Sequence, residues 1–498
     1  MKIYLRAIMF FFLLISVCSS YSQDYSHTEV NGILIDSISK QPLLYASVFV
    51  PGTTIGIITN ENGHYSLNIS KLTTIDSVRF QYMGYQTKDV ALSQLLSSPN
   101  VSLAENIINL KQATVFGNTI DPVSVIEKVS QNLNENYKDI TIEREVFIRQ
   151  RFTSDIQDLL IDYKKSTISE IDKNMIVTAQ ENIPRNSVSY TDFYGKMYVP
   201  DLQNDSIPFK LSPMRVISLK EKELTELDNI NTVFENTLKA TDSLEYWKIK
   251  TGIIGTKVHF DFEDTSSVTL PKDEQLVSSF TSDVNYQLQN ASFSEKEWDF
   301  IFKPSRYKFS LFAGSNFNNE DIYIIDFVPK QKGIFQGRLI VSMESFAILR
   351  VDYQYAPQKR GNHFNMFGIS YTDAKYEASV HFEKVDTCYQ LKYFSLKTLQ
   401  KISFDRKISL LKKRKRPFFD KTMDELKTDL DISLNNEESF EFLVLSQRPI
   451  SKKKYTEVQE EKSMKVIYID QFRNDLWEGY NIIEPTQQMR EYTKQFED

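Results

Sequence analysis

Cysteine is almost missing from this chain of 498 residues: there are two, Cys18 and Cys388. Cys18 falls in an apolar leader, which leaves Cys388 alone, and one cysteine closes no internal disulfide. A disulfide-stapled secreted fold is therefore excluded, and stability must come from buried cores that the length allows. Histidine is scarce too, at five: His27, His64, His259, His363 and His381. None sits in a His-x-x-Glu or His-Glu-x-x-His pattern, the spacing that brings two imidazoles and a carboxylate to one zinc ion. His381 and Glu383 would share a strand face, but a lone pair of this kind is more often satisfied locally, so no metal and no cofactor are expected. His64, beside Asn62-Gly63, reads as a surface residue flanking a turn. Gly-x-Ser-x-Gly, a glycine-rich phosphate loop and paired cysteines are all lacking, which leaves only scattered Asp, Glu and Ser in favour of a hydrolase. No catalytic residues are assigned. With 15 Gly and 15 Pro there is no long low-complexity tract. A net charge of -7 weighs against nucleic acid as a partner.

Aromatic residues are what the chain has in plenty. They make up 13%, with 34 Phe and 26 Tyr, a bias toward strands. The length calls for two or three domains. Lys2 and Arg6 precede the apolar run Ala7 to Val17, and small Ser20 and Ser22 follow. This reads as a signal peptide over residues 1–22, because the run falls short of the about 20 apolar residues of a bilayer span. An uncleaved anchor is the alternative. Lipidation at Cys18 is a minority reading, since Val17 is a poor residue to precede a lipidated cysteine. The expected address is the periplasm or the periplasmic face of an outer membrane.

Residues 28–117 carry the sharpest pattern. Val30, Ile33 and Ile35 frame a strand, Pro42 opens a second from Leu43 to Val50, and Gly56 to Thr59 is a third. Asn62-Gly63 is a strong turn signal, because glycine tolerates positive φ. Tyr65, Leu67 and Ile69 alternate, as do Val78, Phe80 and Tyr82. Val90 to Leu92, Asn100 to Leu103 and a last strand near 107–117 close the set. The series Gly32, Asp36, Pro42, Leu43, Ala46, Val48, then Gly56, Thr59, Asn60, Gly63, Tyr65, then Phe80, Tyr82, Gly84, Tyr85 resembles the carboxypeptidase regulatory-like domain. That resemblance implies a transthyretin-like β-sandwich of seven strands, common on exported Gram-negative envelope proteins, TonB-dependent transporters among them. It implies no peptidase activity.

A larger domain is expected over 121–412, a helix followed by an antiparallel curved sheet. Asp121-Pro122 starts the helix, with Val125, Ile126, Val129 and Leu133 on one face. This opening, together with Arg144 to Gln150, resembles a group of uncharacterised exported proteins. Two strands are read over Glu143–Ser169, an irregular stretch over 170–215, and a helical insert over about 219–248. The run Trp298 to Tyr355 resembles the outer-membrane lipoprotein-carrier half-barrel, whose sheet curls around an apolar cavity. Tyr323, Ile325, Phe327, Leu339 and Val341 are the candidate cavity lining; a filled core is the competing reading. Residues 413–498 are read as a basic loop, Lys412 to Pro417, and a C-terminal extension. In that extension Leu476-Trp477 to Glu484-Pro485 is expected to dock as an aromatic tie-down. The basic run is a solvated loop in one reading and a contact for anionic lipid head groups in another.

The fold class expected is mainly β with helical insertions: the N-terminal β-sandwich, then a larger antiparallel-sheet α+β domain, with a half-barrel as one form of it. The function expected is a non-enzymatic exported envelope protein, its sandwich an interaction module and its sheet a surface for binding or assembly. The alternatives are an accessory to a TonB-dependent transporter, a lipid carrier and, last, a hydrolase. Envelope proteins, an outer-membrane receptor or lipid are the candidate partners.

Overall fold

A computed structural model describes residues 29–70, 72, 76–107, 120–201, 209–219, 244–251, 254–258, 274–291 and 293–491. The expected signal peptide lies outside these residues, as does nearly all of the strand read near 107–117.

The N-terminal unit is two small sheets face to face. One has the order β4 (His64–Asn68), β1 (Glu29–Asp36), β7 (Val101–Leu103). The other runs β3 (Gly56–Ile58), β2 (Ser47–Phe49), β5 (Ser77–Gln81), β6 (Lys88–Ala91). The alternation read from the sequence is the inward face: Tyr65, Leu67, Val78 and Phe80 are buried. The Asn62-Gly63 turn forms as expected. Gly63 takes φ +74°, and a Cβ there would meet the Leu34 carbonyl at 2.7 Å. The second strand is shorter than Leu43–Val50, because Tyr45 takes φ +59°, a left-handed conformation that ends the extended run.

The rest of the chain builds one large open sheet, antiparallel but for one parallel pairing at its edge, and a separate two-stranded ladder. Its strands, in chain order, are β8 (Ile142–Ser166), β9 (Asn186–Val199), β10 (Lys210–Leu219), β11 (Glu245–Thr251) and β12 (Ile254–Val258). After the short β13 (Glu274–Leu276) come β14 (Tyr307–Phe317), β15 (Glu320–Pro329), β16 (Phe335–Ser342) and β17 (Ile348–Tyr355). Then follow β18 (His363–Met366), β19 (Ile369–Val385), β20 (Cys388–Arg414), β21 (Lys421–Pro449), β22 (Ser463–Lys465) and β23 (Ile467–Ile469). The spatial order is β14-β15-β16-β17-β19-β20-β21-β8-β9-β10-β23. Among the described residues the path has two ends and closes no barrel.

Both faces of this sheet are buried. Helix Pro122–Asn136 starts where expected, with Asp121 capping the Val123 amide at 3.1 Å. It lays Val125, Ile126, Val129 and Leu133 on the inner face, each burial contributing roughly 1.5–3 kcal/mol before ordering entropy. Helix Val277–Leu288 and the turn at Trp298–Phe302 cover the rest of that face, with Phe280 stacked on Phe193 at 5.0 Å. The sandwich covers the opposite, outer face. In each central strand the parity splits accordingly: Val146 and Ile148 pack inward and Phe147 outward, and Phe442 and Val444 pack inward and Leu443 outward. The C-terminal tie-down is present. Leu476, Trp477, Ile482 and Ile483 are buried between sandwich and sheet.

Several local expectations give way. Glu143–Ser169 is one strand rather than two. The polar Asp155–Asp158 is held extended because β9 and β21 supply ladder partners there. The stretch 170–215 is not irregular: it contains helix Lys173–Asn182, β9 and most of β10. Of the insert read over 219–248, residues 220–243 lie outside the described set, and Glu245–Lys248 is strand, paired with β20. Lys412–Arg414 ends β20 rather than standing in a loop, and Lys421–Pro449 is a central strand.

Three strands are far longer than the usual five or six residues. β8, β20 and β21 have 25, 27 and 29 residues; at about 3.3 Å per residue, β20 spans about 90 Å. One half lies in the body. The other continues as an arm past Phe404, where β20 loses β19 and, from Ile408, gains β11. The arm has its own small core of Ile168, Ile171, Ile176, Trp247 and Leu426.

Candidate functional site

The five residues expected to line a cavity all point to the inner face. Ile325, Phe327, Leu339 and Val341 are at most 1% exposed, and the half-buried Tyr323 packs against the same cluster. Phe327 stacks on Phe300 at 4.6 Å, so the small helix at 299–302 occupies the space a ligand would take. These side chains stand inside a packed core.

An open space lies on the other face. A groove of about 540 Å³ is bounded by Leu44, Tyr45 and Tyr82 of the sandwich and by the outer face of β15, β16, β17, β19 and β20. Its floor is polar, and strand register is the cause. Asp326 stands opposite Arg338, Arg338 opposite Asp352, Asp352 opposite Ser379, and Ser379 opposite Ser395. The row continues under the sandwich through Glu441, Arg149 and Asp192. It crosses eight strands without an apolar member.

Cross-strand neighbours of opposite charge stabilise one another, and this row pairs its charges. Arg338 reaches both oxygens of Asp326, at 2.6 and 3.0 Å. Arg149 holds Asp192 in a buried two-pronged pair at 2.8 and 2.7 Å, and also donates to the Ile483 carbonyl at 3.0 Å. Arg350, one row away and buried, donates to Asp352 at 2.8 Å and lies 4.7 Å from the Tyr82 ring centre. Burial would favour losing its proton, but Asp352 and Tyr82 more than offset that and keep the guanidinium charged. Lys397 pairs with Glu61 of the sandwich. Tyr45 sets its ring 4.8 Å from Tyr393, and its left-handed backbone is what carries it onto the sheet.

His381 adjoins the row. Ser379 Oγ donates to Asp352 at 2.5 Å and lies 2.8 Å from His381 Nε2. Burial first, and then Arg350, push the imidazole well below its ordinary pKa of 6.5, so it is neutral. A Ser-His-Asp relay needs the carboxylate behind the imidazole, on its other nitrogen. Here the carboxylate accepts the serine's hydrogen bond, which leaves the serine oxygen to accept from the imidazole. The trio is a satisfied network and not an activated nucleophile. Glu383 is not brought to His381: it is exposed and pairs with Lys392 at 3.3 Å. Among the described residues no group of three metal-ligating side chains forms. His64 is exposed beside its turn, as expected.

The two-sheet geometry of the N-terminal unit and its Asn-Gly turn point one way. Residues 30–115 match the CarboxypepD_reg-like domain family. The CarboxypepD_reg-like domain covers about one sixth of the chain, so the match describes the sandwich and not the long sheet beside it. No curated protein matches the sequence. Solved structures with similarity include a DUF1329 family protein from Desulfovibrio piger, 10% identical, covering 68% of this chain and 98% of that one, with a TM-score of 0.18. A LolA superfamily protein from Nitrosomonas europaea is 6% identical over 68% and 99%, TM-score 0.17. The MucA/MucB complex of Pseudomonas aeruginosa gives 8% over 66% and 99%, TM-score 0.16. Likenesses this weak carry no argument about function. The C-terminal segment ties down the CarboxypepD_reg-like domain directly: the Asn60 side chain donates to the Glu484 carbonyl at 3.1 Å, and the Asn68 amide to the Asn481 side-chain oxygen at 2.7 Å.

The groove residues were missed in the sequence although a signal existed. The apolar half of each strand, Ile325 or Leu339, supplies the candidate cavity lining, with a filled core as the competing reading. The other half carries Asp326, Arg338, Arg350 and Asp352, charges in mid-strand on a face that a covered sheet would normally fill with apolar groups.

Proposed function

We propose that this chain is a non-enzymatic binding protein of the cell envelope, whose sandwich and long sheet act together to hold a partner at the groove between them. The observation that carries this reading is the polar row: its charges are compensated within the protein, and its first five members face an open groove. Such a floor offers hydrogen bonds without net charge, which suits a polar, overall neutral segment of a partner protein. Export rests on the leader, and no described helix is long and apolar enough to cross a membrane. Fractionation of cells expressing the tagged chain checks the address; recovery in the cytosol would remove the envelope part of the proposal.

A photo-crosslinking side chain at Gln354, on the groove floor, tests the site. The expected result is a discrete crosslink to an envelope protein in intact cells, absent when Ser395→Trp fills the groove. Crosslinks unchanged by that substitution would sink the reading. The accessory role for a TonB-dependent transporter is the narrower form of the proposal, and it requires the crosslinked protein to be an outer-membrane receptor. A lipid carrier is the competing form. It predicts co-purified lipid, and the packing around Ile325 and Leu339 weighs against it.

A further inference from the structure

The far end of the arm combines two features that the groove does not use. Between Lys412 and Lys421 the chain has six basic residues and one acid, in a protein of net charge -7. At the turn, Phe418 and Phe419 are 91% and 88% exposed, the two most exposed large apolar side chains among those described. Leu244, whose carbonyl accepts from the Lys415 amide at 2.9 Å, and Met423 add exposed apolar surface beside them. The turn is anchored from behind by Tyr246, whose hydroxyl donates to Asp420. Lys412 pairs with Glu245 at 3.1 Å, while Lys415, Arg416 and Lys421 are exposed around the phenylalanines.

We propose that this tip docks on an anionic phospholipid bilayer, with Phe418 and Phe419 entering the head-group boundary and the surrounding lysines and arginines meeting lipid phosphates. Water opposes exposing two adjacent phenylalanine rings, and the interfacial zone of a bilayer accepts them. A polybasic collar supplies the electrostatic half of the attraction, about fivefold in affinity per residue close to the surface. Either half alone is weak; together they make the two-part signal that reversible membrane association needs. The arm places this tip far from the groove, so a molecule docked here leaves the groove free. The proposal does not depend on the groove reading and fails separately from it.

Co-sedimentation of the chain starting at Gln23 with vesicles tests it, comparing phosphatidylcholine alone with phosphatidylcholine mixed with phosphatidylglycerol. Binding is expected only to the mixed vesicles, and to weaken as salt rises. Lys415→Gln, Arg416→Gln and Lys421→Gln together are expected to lower affinity by about a hundredfold. Phe418→Ser with Phe419→Ser is expected to lower it by about tenfold or more. All these positions are exposed, so circular dichroism of the variants should match the parent. Phe419→Trp adds a direct reading, with fluorescence that moves to shorter wavelength when mixed vesicles are added. Equal binding to both vesicle types, or full binding by the double serine variant, would overturn the proposal. Capture on heparin that ignores the serine changes, without vesicle binding, would also overturn it in favour of a general polyanion site.

Discussion

The two faces of the long sheet are buried to similar depth and by opposite means. Helices from the same domain seal the inner face, and its side chains form an aromatic and aliphatic core around Trp298, Phe300 and Phe327. The outer face receives the N-terminal sandwich, and there the sheet keeps a row of paired charges and an open groove. The sandwich meets the sheet with aromatic anchors, hydrogen bonds and residual space, as a partner protein would.

Replacing Trp298, which is fully buried, with alanine should break the inner face most severely. A loss of about 4 kcal/mol is expected from urea denaturation, by the usual cost of an aromatic cavity. On the outer face, Asp192→Ala leaves Arg149 buried and unpaired and should cost about 3 kcal/mol. If the milder Asp192→Asn costs as much, lost charge rather than lost contact dominates. Ile483→Ala cuts the tie-down and should remove about 2.5 kcal/mol. Calorimetry should then show the sandwich and the sheet melting in two steps where the parent shows one; a single transition in both would mean that the tie-down does not couple them. Gly337→Ala is smaller, at about 2 kcal/mol. A Cβ at that position would sit 2.1 Å from the Asp352 carbonyl and 2.9 Å from the Phe327 ring, so the strand must shift.

The least costly test uses pH. Folding holds His381 neutral, well below its ordinary 6.5. The unfolded chain therefore takes up a proton the folded one refuses. The contribution is intact above about 6.5 and fades as pH falls below it, so His381→Gln should flatten the loss on acidification. Glu441 acts oppositely, its carboxyl raised above the ordinary 4.5 chiefly by burial. Its contribution is full below 4.5 and is lost as pH rises from there through the raised value, so Glu441→Gln should remove the loss across that interval. Titrating stability for each variant checks both signs, and slopes that change in the same direction would contradict the assignment.

Local signals were legible where one face of an element meets water or where a turn demands one residue. The helix at 122–136 was readable down to its cap and four buried positions, and so were the Asn62-Gly63 turn and the alternating Tyr65-Leu67-Ile69. The long strands were not. Val146-Phe147-Ile148 and Phe442-Leu443-Val444 bury both parities, which erases the period of two. Asp155–Asp158 has the polarity of a loop, and only its ladder partners, Asn186 in β9 and Ser433 to Asn435 in β21, keep it extended. For the five candidate cavity residues the structure matches the competing reading, a filled core, and the open groove lies across the sheet from them.

The sequence by itself determined the sandwich with its turn, the helix that seals the inner face, and the docking of Trp477. Each depends on contacts among near neighbours, or on side chains too apolar to stay in water. Tertiary structure alone decided that Asp326, Arg338, Asp352, Ser379, Ser395, Glu441, Arg149 and Asp192 form one row. Register between strands drawn from residues 149 to 441 brings them together, and no local pattern encodes a pairing across that distance.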